Sequence, residues 1–238
     1  MVATLGTASG TATFPSTSSA LLSADQLIDL QSRRSRIVKR GGDIFFSLMV
    51  LSAGAPVFLL LAFLVKVTSR GPVFYVQQRV GRDYRSFGCI KFRTMRRDAD
   101  RILSKVLAES PDLDEEFRND FKLKNDPRIT KLGKFLRRSS LDELPQFINV
   151  LKGEMSVVGP RPIVRAELPR YSYFMDEVLA VRPGLTGLWQ VSGRNNLSYM
   201  QRIGLDVRYA GRRGFLMDLK IIARTIGVIF DPRDRGAY

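Results

Sequence analysis

An uncharged apolar run from Ile44 to Val65 constrains the fold of this chain more than any other feature of its sequence. Its 22 residues would just cross the apolar core of a bilayer as one straight helix, at about 1.5 Å per residue. Pro56 lies near the midpoint, after Gly54, and a proline at that position removes one backbone hydrogen bond and bends the helix. The run therefore predicts two helical arms joined by a bend.

Basic residues flank both ends of this run and bear on how it would meet a membrane. Five lie between Arg33 and Arg40, and Lys66 and Arg70 follow the run. Basic flanks favour the cytoplasmic side of a membrane, so both ends are predicted on that side. This arrangement describes a re-entrant hairpin that dips into one leaflet. An ordinary membrane span and a buried helix of a soluble protein stay open as alternatives.

The composition excludes several kinds of catalytic site. The net charge of +15 points to an anionic partner, which could be nucleic acid, anionic lipid or a phosphorylated substrate. The chain has no histidine, which excludes Ser-His-Asp and Cys-His nucleophile systems and His-ligated metals. Cys89 is the single cysteine, so neither an internal disulfide nor a cysteine-rich zinc site can form. Catalysis must therefore rely on carboxylates, Lys, Arg, hydroxyl groups and a hard metal ion.

Two adjacent carboxylates, Asp142 and Glu143, lie in the most informative segment of the chain, residues 137–162. Arg137 and Arg138 precede them, and a second basic turn that contains Arg161 follows. Carboxylates bind a hard cation, and arginines neutralise phosphate oxygens. A carboxylate can also attack phosphorus as a nucleophile. The pattern is typical of a site that holds a metal ion and a phosphate together.

A structural alternative exists for the same residues. Ser140 and Glu143 fit the S-x-x-E capping box, in which both side chains satisfy free N–H groups at a helix start. Asp142 would then lie in the first turn, where the helix dipole favours a negative charge. Pro145 moves the predicted helix start toward Asp142 or beyond, because proline suits only the first turn. Spacing alone leaves both interpretations open.

The rest of the sequence predicts a mainly α fold with a small β element. A short β-hairpin is expected from Val73–Val76 and Phe87–Phe92, a loop from Val181, and an acidic surface element after Pro111. Helices are expected at Asp98–Glu109, Ile129–Arg138, Pro145–Leu151, Tyr199–Tyr209 and Leu216–Phe230. The last is basic and amphipathic, so it could pack in the core or lie on a membrane surface. The predicted organisation is a flexible tail at 1–30, a membrane hairpin at 31–70 and a catalytic domain at 71–238.

From Arg36 onward the chain resembles the bacterial sugar transferases, also called monotopic phosphoglycosyl transferases. The resemblance rests on motifs that follow one another in the family's order, after the proline-broken hairpin. They are GPVF at 71–74, QRVG at 78–81, KFRTM at 91–95, LDELPQ at 141–146, VGPRP at 158–162, RPGLTG at 182–187 and DLKI at 218–221. The chain is similar to the minimal, catalytic-core form of exopolysaccharide-initiating hexose-1-phosphate transferases. It departs from the family in having Ala55 before Pro56, where serine is common.

This resemblance implies a monotopic membrane enzyme with a re-entrant hairpin and interfacial amphipathic helices. It would transfer a sugar 1-phosphate from a UDP-sugar, UDP-glucose or UDP-galactose, to undecaprenyl phosphate and release UMP. Asp142 would be the nucleophile and Glu143 a catalytic residue that holds Mg²⁺. The implied substrate-binding residues are Arg137, Lys91, Arg93, Pro160 and Arg161.

The same resemblance implies a place in the cell and a set of partners. The enzyme would act at the bacterial cytoplasmic membrane, with its catalytic domain on the cytoplasmic face. Its partners would be UDP-sugar, polyprenyl phosphate and membrane lipids, without nucleic acid, and a homodimer is compatible with the sequence. Two rival hypotheses stay open. One is a non-catalytic basic membrane protein, and the other is a transferase that works through one ternary complex.

Overall fold

The computed structural model describes residues 18–120, 123–193 and 197–230, and these residues are mainly helical with two small two-stranded sheets. The predicted fold class, mainly α with a small β element, is confirmed at that level. The helices are α1 (Ser18–Ala53), α2 (Ala55–Thr68), α3 (Ala99–Glu109), α4 (Pro111–Asp120), α5 (Lys131–Arg138), α6 (Gln146–Lys152), α7 (Leu168–Tyr171), α8 (Met175–Leu179), α9 (Tyr199–Arg212) and α10 (Phe215–Phe230). The strands are β1 (Phe74–Val80), β2 (Ser86–Phe92), β3 (Ser156–Val158) and β4 (Gly184–Thr186).

The apolar run forms two helices that are broken at Gly54, next to the predicted position. Within the described residues no single helix has the length and hydropathy to cross a membrane, whereas Ser35–Ala53 and Ala55–Thr68 meet the criterion as a pair bent by 65°. A Cβ atom on Gly54 would lie 2.6 Å from the Val50 carbonyl oxygen, so only glycine fits at the bend. Pro56 occupies the first turn of α2, where its missing N–H costs little.

Within the compact unit formed by residues 39–238, two side chains of α1 hold residues 39–53 of this helix against the rest of that unit. Arg40 donates hydrogen bonds to the Val150 and Leu151 carbonyl oxygens, at 2.6 and 2.9 Å. These carbonyls belong to the last turn of α6, which a cation stabilises. Asp43 accepts hydrogen bonds of 3.1 Å from the Ser156 hydroxyl and the Val157 N–H. The first arm of the hairpin is therefore fixed to α6 and β3.

The second arm is held by apolar packing. Leu61 and Val65 of α2 are buried together with Phe92 of β2 and Leu136 of α5. The Phe58 and Phe92 rings lie 5.0 Å apart between their centroids. Burying side chains of this size contributes roughly 1.5–3 kcal/mol each. The helix arm and the elements that carry the predicted site residues therefore share one core.

The predicted β-hairpin is confirmed. Strands β1 and β2 pair antiparallel, with Phe74 opposite Phe92 and Val80 opposite Ser86. The connecting turn is a short 3₁₀ helix, Arg82–Tyr84, in which Asp83 has a left-handed φ of 56°. The hairpin places Lys91, next to the end of β2, beside the 141–143 turn.

A second sheet was missed in the sequence. Strand β3 pairs in parallel with β4. Strand β4 lies in the segment after Val181 that was predicted to be a loop. The Gly184 backbone approaches Gly159 so closely that a Cβ on either residue would clash. Gly159 N–H also donates to the Thr186 carbonyl at 2.9 Å. These contacts fix the chain directly before Pro160 and Arg161.

Two other boundaries differ from the prediction. Pro111 ends α3 but also begins α4, because proline is well tolerated in the first turn of a helix. The predicted acidic surface element is thus helical. The predicted flexible tail extended to residue 30, whereas α1 begins at Ser18. Residues 1–17 lie outside the described part of the chain.

Asn149 of α6 connects the site to the β-hairpin, and its replacement should destabilise the protein. Its side chain is fully buried, accepts from the Ile90 N–H at 3.0 Å, and donates to the Gly88 carbonyl and Glu154 at 2.7 and 2.6 Å. Asn149→Ala leaves buried polar groups unpaired, so the free energy of unfolding in detergent should fall by about 2–4 kcal/mol. The exposed Asn125→Ala serves as control. Equal unfolding midpoints for the two variants would contradict this role.

Candidate active site

Asp142 and Glu143 lie on a short 3₁₀ helix, Leu141–Glu143, between α5 and α6. Ser140 precedes it with a left-handed φ of 56°, and its hydroxyl accepts no capping bond. The helix proper begins only at Gln146, after Pro145. The capping-box interpretation of Ser140 and Glu143 is therefore wrong, because Pro145 shifts the helix start past both carboxylates. The 3₁₀ turn leaves the two acids without that structural role.

Asp142 is a buried carboxyl group, with 6% of its surface exposed. Burial raises its pKa to about 6, and repulsion from Glu143 adds to this rise. The positive charges of Lys91 and Arg137 oppose it. A carboxylate with a raised pKa is less stabilised by water and is therefore a stronger base and nucleophile than an exposed one.

Glu143 forms an ion pair with Lys91, in which Nζ and Oε1 lie 2.6 Å apart. Burial by itself would raise the pKa of Glu143. The charges of Lys91 and Arg161 and a hydrogen bond from Gln146 outweigh burial and hold this pKa below its ordinary value. Neighbouring carboxyls whose pKa values are driven apart can take different roles. Here Glu143 stays charged while Asp142 titrates closer to neutral pH.

Arg137 of α5 faces the same two acids. Burial lowers its pKa, while the charges of Asp142, Asp126 and, to a smaller extent, Glu143 raise it, so its guanidinium lies in the field of both site acids. Its Nε donates to the Thr94 hydroxyl at 2.9 Å. Thr94 is fixed in turn, since its carbonyl accepts from the Thr130 N–H at 3.0 Å. An arginine held in this way presents its remaining donors in a defined direction.

Arg161 approaches the acids from the loop after β3. Its charge acts on Glu143, and its guanidinium lies 5.9 Å from the centre of the Trp189 ring. Pro160 is buried, and its carbonyl accepts from the Gly184 N–H at 2.8 Å, which anchors the loop. Asp206 of α9 lies beneath the loop, where burial raises its pKa to about 8 and Arg161 counteracts the rise. Pro160 therefore shapes the loop rather than offering a polar group.

The structure thus brings together five of the predicted site residues: Asp142, Glu143, Lys91, Arg137 and Arg161. Arg93 points elsewhere, to the end of α2, where it donates to Ser69. Trp189, Asp206 and Thr94 were missed by the sequence analysis. A signal was available only for Trp189, which is the single tryptophan of the chain. The roles of all these residues stay predictions.

Comparison with known proteins shows the family of this chain. The family model described as bacterial sugar transferase matches residues 34–232. An undecaprenyl-phosphate galactose phosphotransferase of Salmonella typhimurium is 47% identical over 211 residues, covering 88% of this chain and 44% of that protein. The exopolysaccharide production protein ExoY of Sinorhizobium fredii is 45% identical over 202 residues, covering 85% of this chain and 88% of that protein.

A more distant relative widens the range of named sugars. The UDP-glucose:undecaprenyl-phosphate glucose-1-phosphate transferase of Escherichia coli is 36% identical over 201 residues, covering 81% of this chain and 40% of that protein. This chain therefore spans less than half the length of the Salmonella and Escherichia relatives and most of the length of ExoY. A helical chain with a carboxylate pair among arginines and lysine is a candidate phosphoryl-transfer enzyme. The chain belongs to the bacterial sugar transferase family.

Proposed function

We propose that this protein transfers a sugar 1-phosphate from a UDP-sugar to undecaprenyl phosphate and releases UMP, as the first membrane step of exopolysaccharide synthesis. The observation that carries this proposal is the buried Asp142, set beside the Lys91–Glu143 ion pair and facing Arg137. Three cations around two carboxylates suit a substrate that brings several negative charges of its own. The names of the relatives make glucose and galactose the first sugars to test.

The first half of the proposed reaction loads the enzyme. An Asp142 carboxylate oxygen attacks the phosphorus that bears the sugar, and the bond from this phosphorus to the UMP oxygen breaks. UMP leaves with the bonding electron pair, and the sugar phosphate is held on Asp142 as an acyl phosphate. Arg137, Lys91 and Arg161 stabilise the negative charge on the phosphate oxygens during this step.

The second half of the reaction regenerates the enzyme. A phosphate oxygen of undecaprenyl phosphate attacks the same phosphorus, and the bond to Asp142 breaks. Asp142 returns to its carboxylate form, and the product is undecaprenyl diphosphate sugar. Because Asp142 leaves as a buried anion, the neighbouring lysine and arginine charges assist its departure. The cycle is a ping-pong scheme with one covalent intermediate.

Mg²⁺ is proposed as the cofactor, and the donor groups at the site fit it. No group of three or more acidic, cysteine or histidine side chains forms a metal cage anywhere in the described residues. Mg²⁺ usually needs only one or two carboxylates together with substrate phosphates, and Glu143 beside Asp142 supplies these. The ion would offset the charge of the diphosphate at this position.

Glu143→Gln should weaken Mg²⁺ binding more than it weakens the fold. A neutral amide is a poor ligand for a hard cation, so the Mg²⁺ concentration for half-maximal UMP release should rise about tenfold or more. Lys91 would also lose its partner, but a partly exposed ion pair contributes only about 1 kcal/mol or less to stability. The exposed Glu177→Gln is the control. An unchanged Mg²⁺ titration would remove the metal role from Glu143.

Loading should depend on pH through Asp142. The nucleophile must be ionised, and burial raises the pKa of Asp142 to about 6. The kcat/KM for UMP release reports ionisations of the free enzyme, so it should rise as the pH passes about 6 and level off above that value. Well below that value it should fall about tenfold per pH unit. A profile that stays flat between about pH 5 and 8 would show that Asp142 ionises at its ordinary value.

We also propose that α1 and α2 form the re-entrant membrane hairpin, with the site on the cytoplasmic face. Support comes from the bend at Gly54, from basic residues on both flanks and from apolar side chains that α2 exposes. An apolar cavity of about 150 Å³ at the bend also borders Leu144, the neighbour of Glu143. Extraction of the protein from membranes by alkaline wash would contradict an embedded hairpin.

Purified protein in detergent tests the function directly. Incubation with UDP-galactose or UDP-glucose, Mg²⁺ and undecaprenyl phosphate should release UMP and form a lipid-linked sugar. A stoichiometric burst of UMP without acceptor supports the covalent scheme, and its absence with normal turnover supports one ternary complex. No UMP with any UDP-sugar would favour the non-catalytic alternative. A homodimer would appear as twice the expected mass in the same detergent.

A further inference from the structure

Arg93 has hydrogen-bonding capacity that the described residues do not satisfy. Its side chain is buried, with 8% of its surface exposed. One terminal nitrogen donates to the carbonyl and the hydroxyl of Ser69, at 2.7 Å each. Nε and the other terminal nitrogen have no partner among the described residues. Since arginine stays charged, leaving its buried donors unpaired costs free energy.

The surroundings of Arg93 are positive and lack a compensating acid. Burial lowers its pKa, and the charge of Arg97 lowers it further. In the part of the chain that the structure describes, neither arginine forms an ion pair with a carboxylate. Arg96, between them, pairs with Asp98 at 3.6 Å. Arg93 and Arg97, four positions apart and without an acidic partner among the described residues, form an anion-binding environment.

The guanidinium of Arg93 is held in one place. It lies against the backbone of Gly71, where a Cβ atom would collide with the guanidinium and φ is +129°. Its bond to Ser69 caps the end of α2, whose last turns expose Phe63 and Val67. Arg93 therefore lies at the end of the apolar helix α2, where the polar part of the chain begins. In the proposed orientation this position is at the level of the lipid head groups.

The distance to the reaction centre is short. Lys91 and Arg93 are two residues apart at the end of β2, where the Arg93 N–H continues the pairing by donating to Val73 at 2.9 Å. Two residues of extended chain span about 7 Å. Lys91 is paired with Glu143, whereas Arg93 turns to Ser69. A phosphate at Arg93 would thus be close to Asp142 without using the cations that surround the acids.

We propose that Arg93, assisted by Arg97, binds the phosphate head group of a membrane amphiphile, and that this amphiphile is the polyprenyl phosphate acceptor. This assignment rests on the proposed function. It separates two anion sites, with the donor diphosphate at Lys91, Arg137 and Arg161 and the acceptor phosphate at the end of α2. The acceptor would arrive from the membrane beside α2 and meet the loaded Asp142 from that side.

The two half-reactions test the assignment in the full-length protein in neutral detergent. Arg93→Gln should raise the KM for undecaprenyl phosphate by about 10- to 100-fold, the loss of a charge-assisted hydrogen bond. The UMP burst without acceptor and the donor KM should stay within about twofold of wild type, since donor contacts are untouched. Arg93→Lys should lie between, because lysine keeps the charge but not the planar donor set. The exposed Arg101→Gln is the matched control.

Three results would overturn the proposal. Equal losses in the burst and in acceptor KM, with a lower unfolding temperature, would show that Arg93 only clamps the end of α2. Normal acceptor KM with weaker binding to phosphatidylglycerol vesicles would assign the site to bulk anionic lipid. If Arg93→Gln does not fold, the exposed Arg97→Gln is tested in its place. The proposal predicts that this variant raises the acceptor KM about two- to fivefold, and an unchanged acceptor KM would contradict the site. Failure of wild-type protein to release UMP would instead refute the underlying function.

Discussion

Asp142→Asn should abolish turnover, with a loss of roughly 10⁴-fold or more in kcat. The amide keeps the size of the carboxyl group but cannot attack phosphorus, so neither UMP release nor a covalent sugar phosphate should form. Folding should persist, because a buried neutral amide replaces a group whose ionisation burial already opposes. Intact-protein mass spectrometry after incubation with UDP-sugar measures the adduct, and UMP release measures turnover.

The exposed Asp112→Asn provides the matched control, since it changes the same charge on α4 without touching the site. Asp142→Asn must be checked for deamidation to aspartate, which would restore activity. Activity above a few per cent of wild type in a sample free of deamidation, roughly a hundredfold more than a missing nucleophile allows, would exclude Asp142 as the nucleophile. A covalent adduct on another residue would lead to the same conclusion.

Arg137→Ala should reduce kcat/KM by about 30- to 1000-fold, which corresponds to roughly 2–4 kcal/mol of transition-state stabilisation. Arg137 faces both acids, and its Nε is engaged by Thr94, so its other donors remain for phosphate. Arg137→Lys should keep a little activity, because lysine carries the charge but lacks the planar fork. Steady-state UMP release with varied UDP-sugar measures the effect.

The neighbouring Arg138 is exposed, so Arg138→Ala controls for the loss of one positive charge on α5. Arg137 is half-buried and its Nε donates to the Thr94 hydroxyl, so its loss also leaves that hydroxyl without this donor. A fall in stability beyond about 1–2 kcal/mol together with a proportional fall in activity would identify Arg137 as structural. A kcat/KM within about threefold of wild type would transfer the phosphate role to Lys91 or Arg161.

Features governed by local backbone chemistry were predictable from the sequence. Proline and glycine limit which torsion angles a segment can adopt, so the bend near Pro56 and the β1–β2 turn could be located directly. The same rules misled at Pro111, because proline both ends one helix and begins the next, so α4 was predicted only as an acidic surface element. At Pro145 they were accurate, since a helix was predicted from Pro145 and α6 begins at Gln146.

Features built from distant segments could not be predicted in this way. The parallel pairing of β3 with β4 joins residues that are far apart in the chain, and three-residue strands carry too little periodicity to detect. Arg93 illustrates the same limit within the site. Its motif placed it beside Lys91 in sequence, but the position of Ser69 decides where its side chain points, and that depends on how α2 packs.

The contacts that anchor the two hairpin arms bear on the depth in the membrane at which the reaction takes place. Arg40 and Asp43 fasten the first arm to α6 and β3, and Leu61 and Val65 fasten the second arm to β2 and α5. Because both arms are anchored, the bend at Gly54 cannot move along the membrane normal independently of Asp142. In the proposed orientation the bilayer determines how deep the bend at Gly54 lies. Because the bend and Asp142 belong to the same anchored unit, the bilayer also determines how far the nucleophile lies from the membrane surface. Bilayers of different thickness should therefore change the rate of acceptor attack while leaving loading from the soluble donor unchanged.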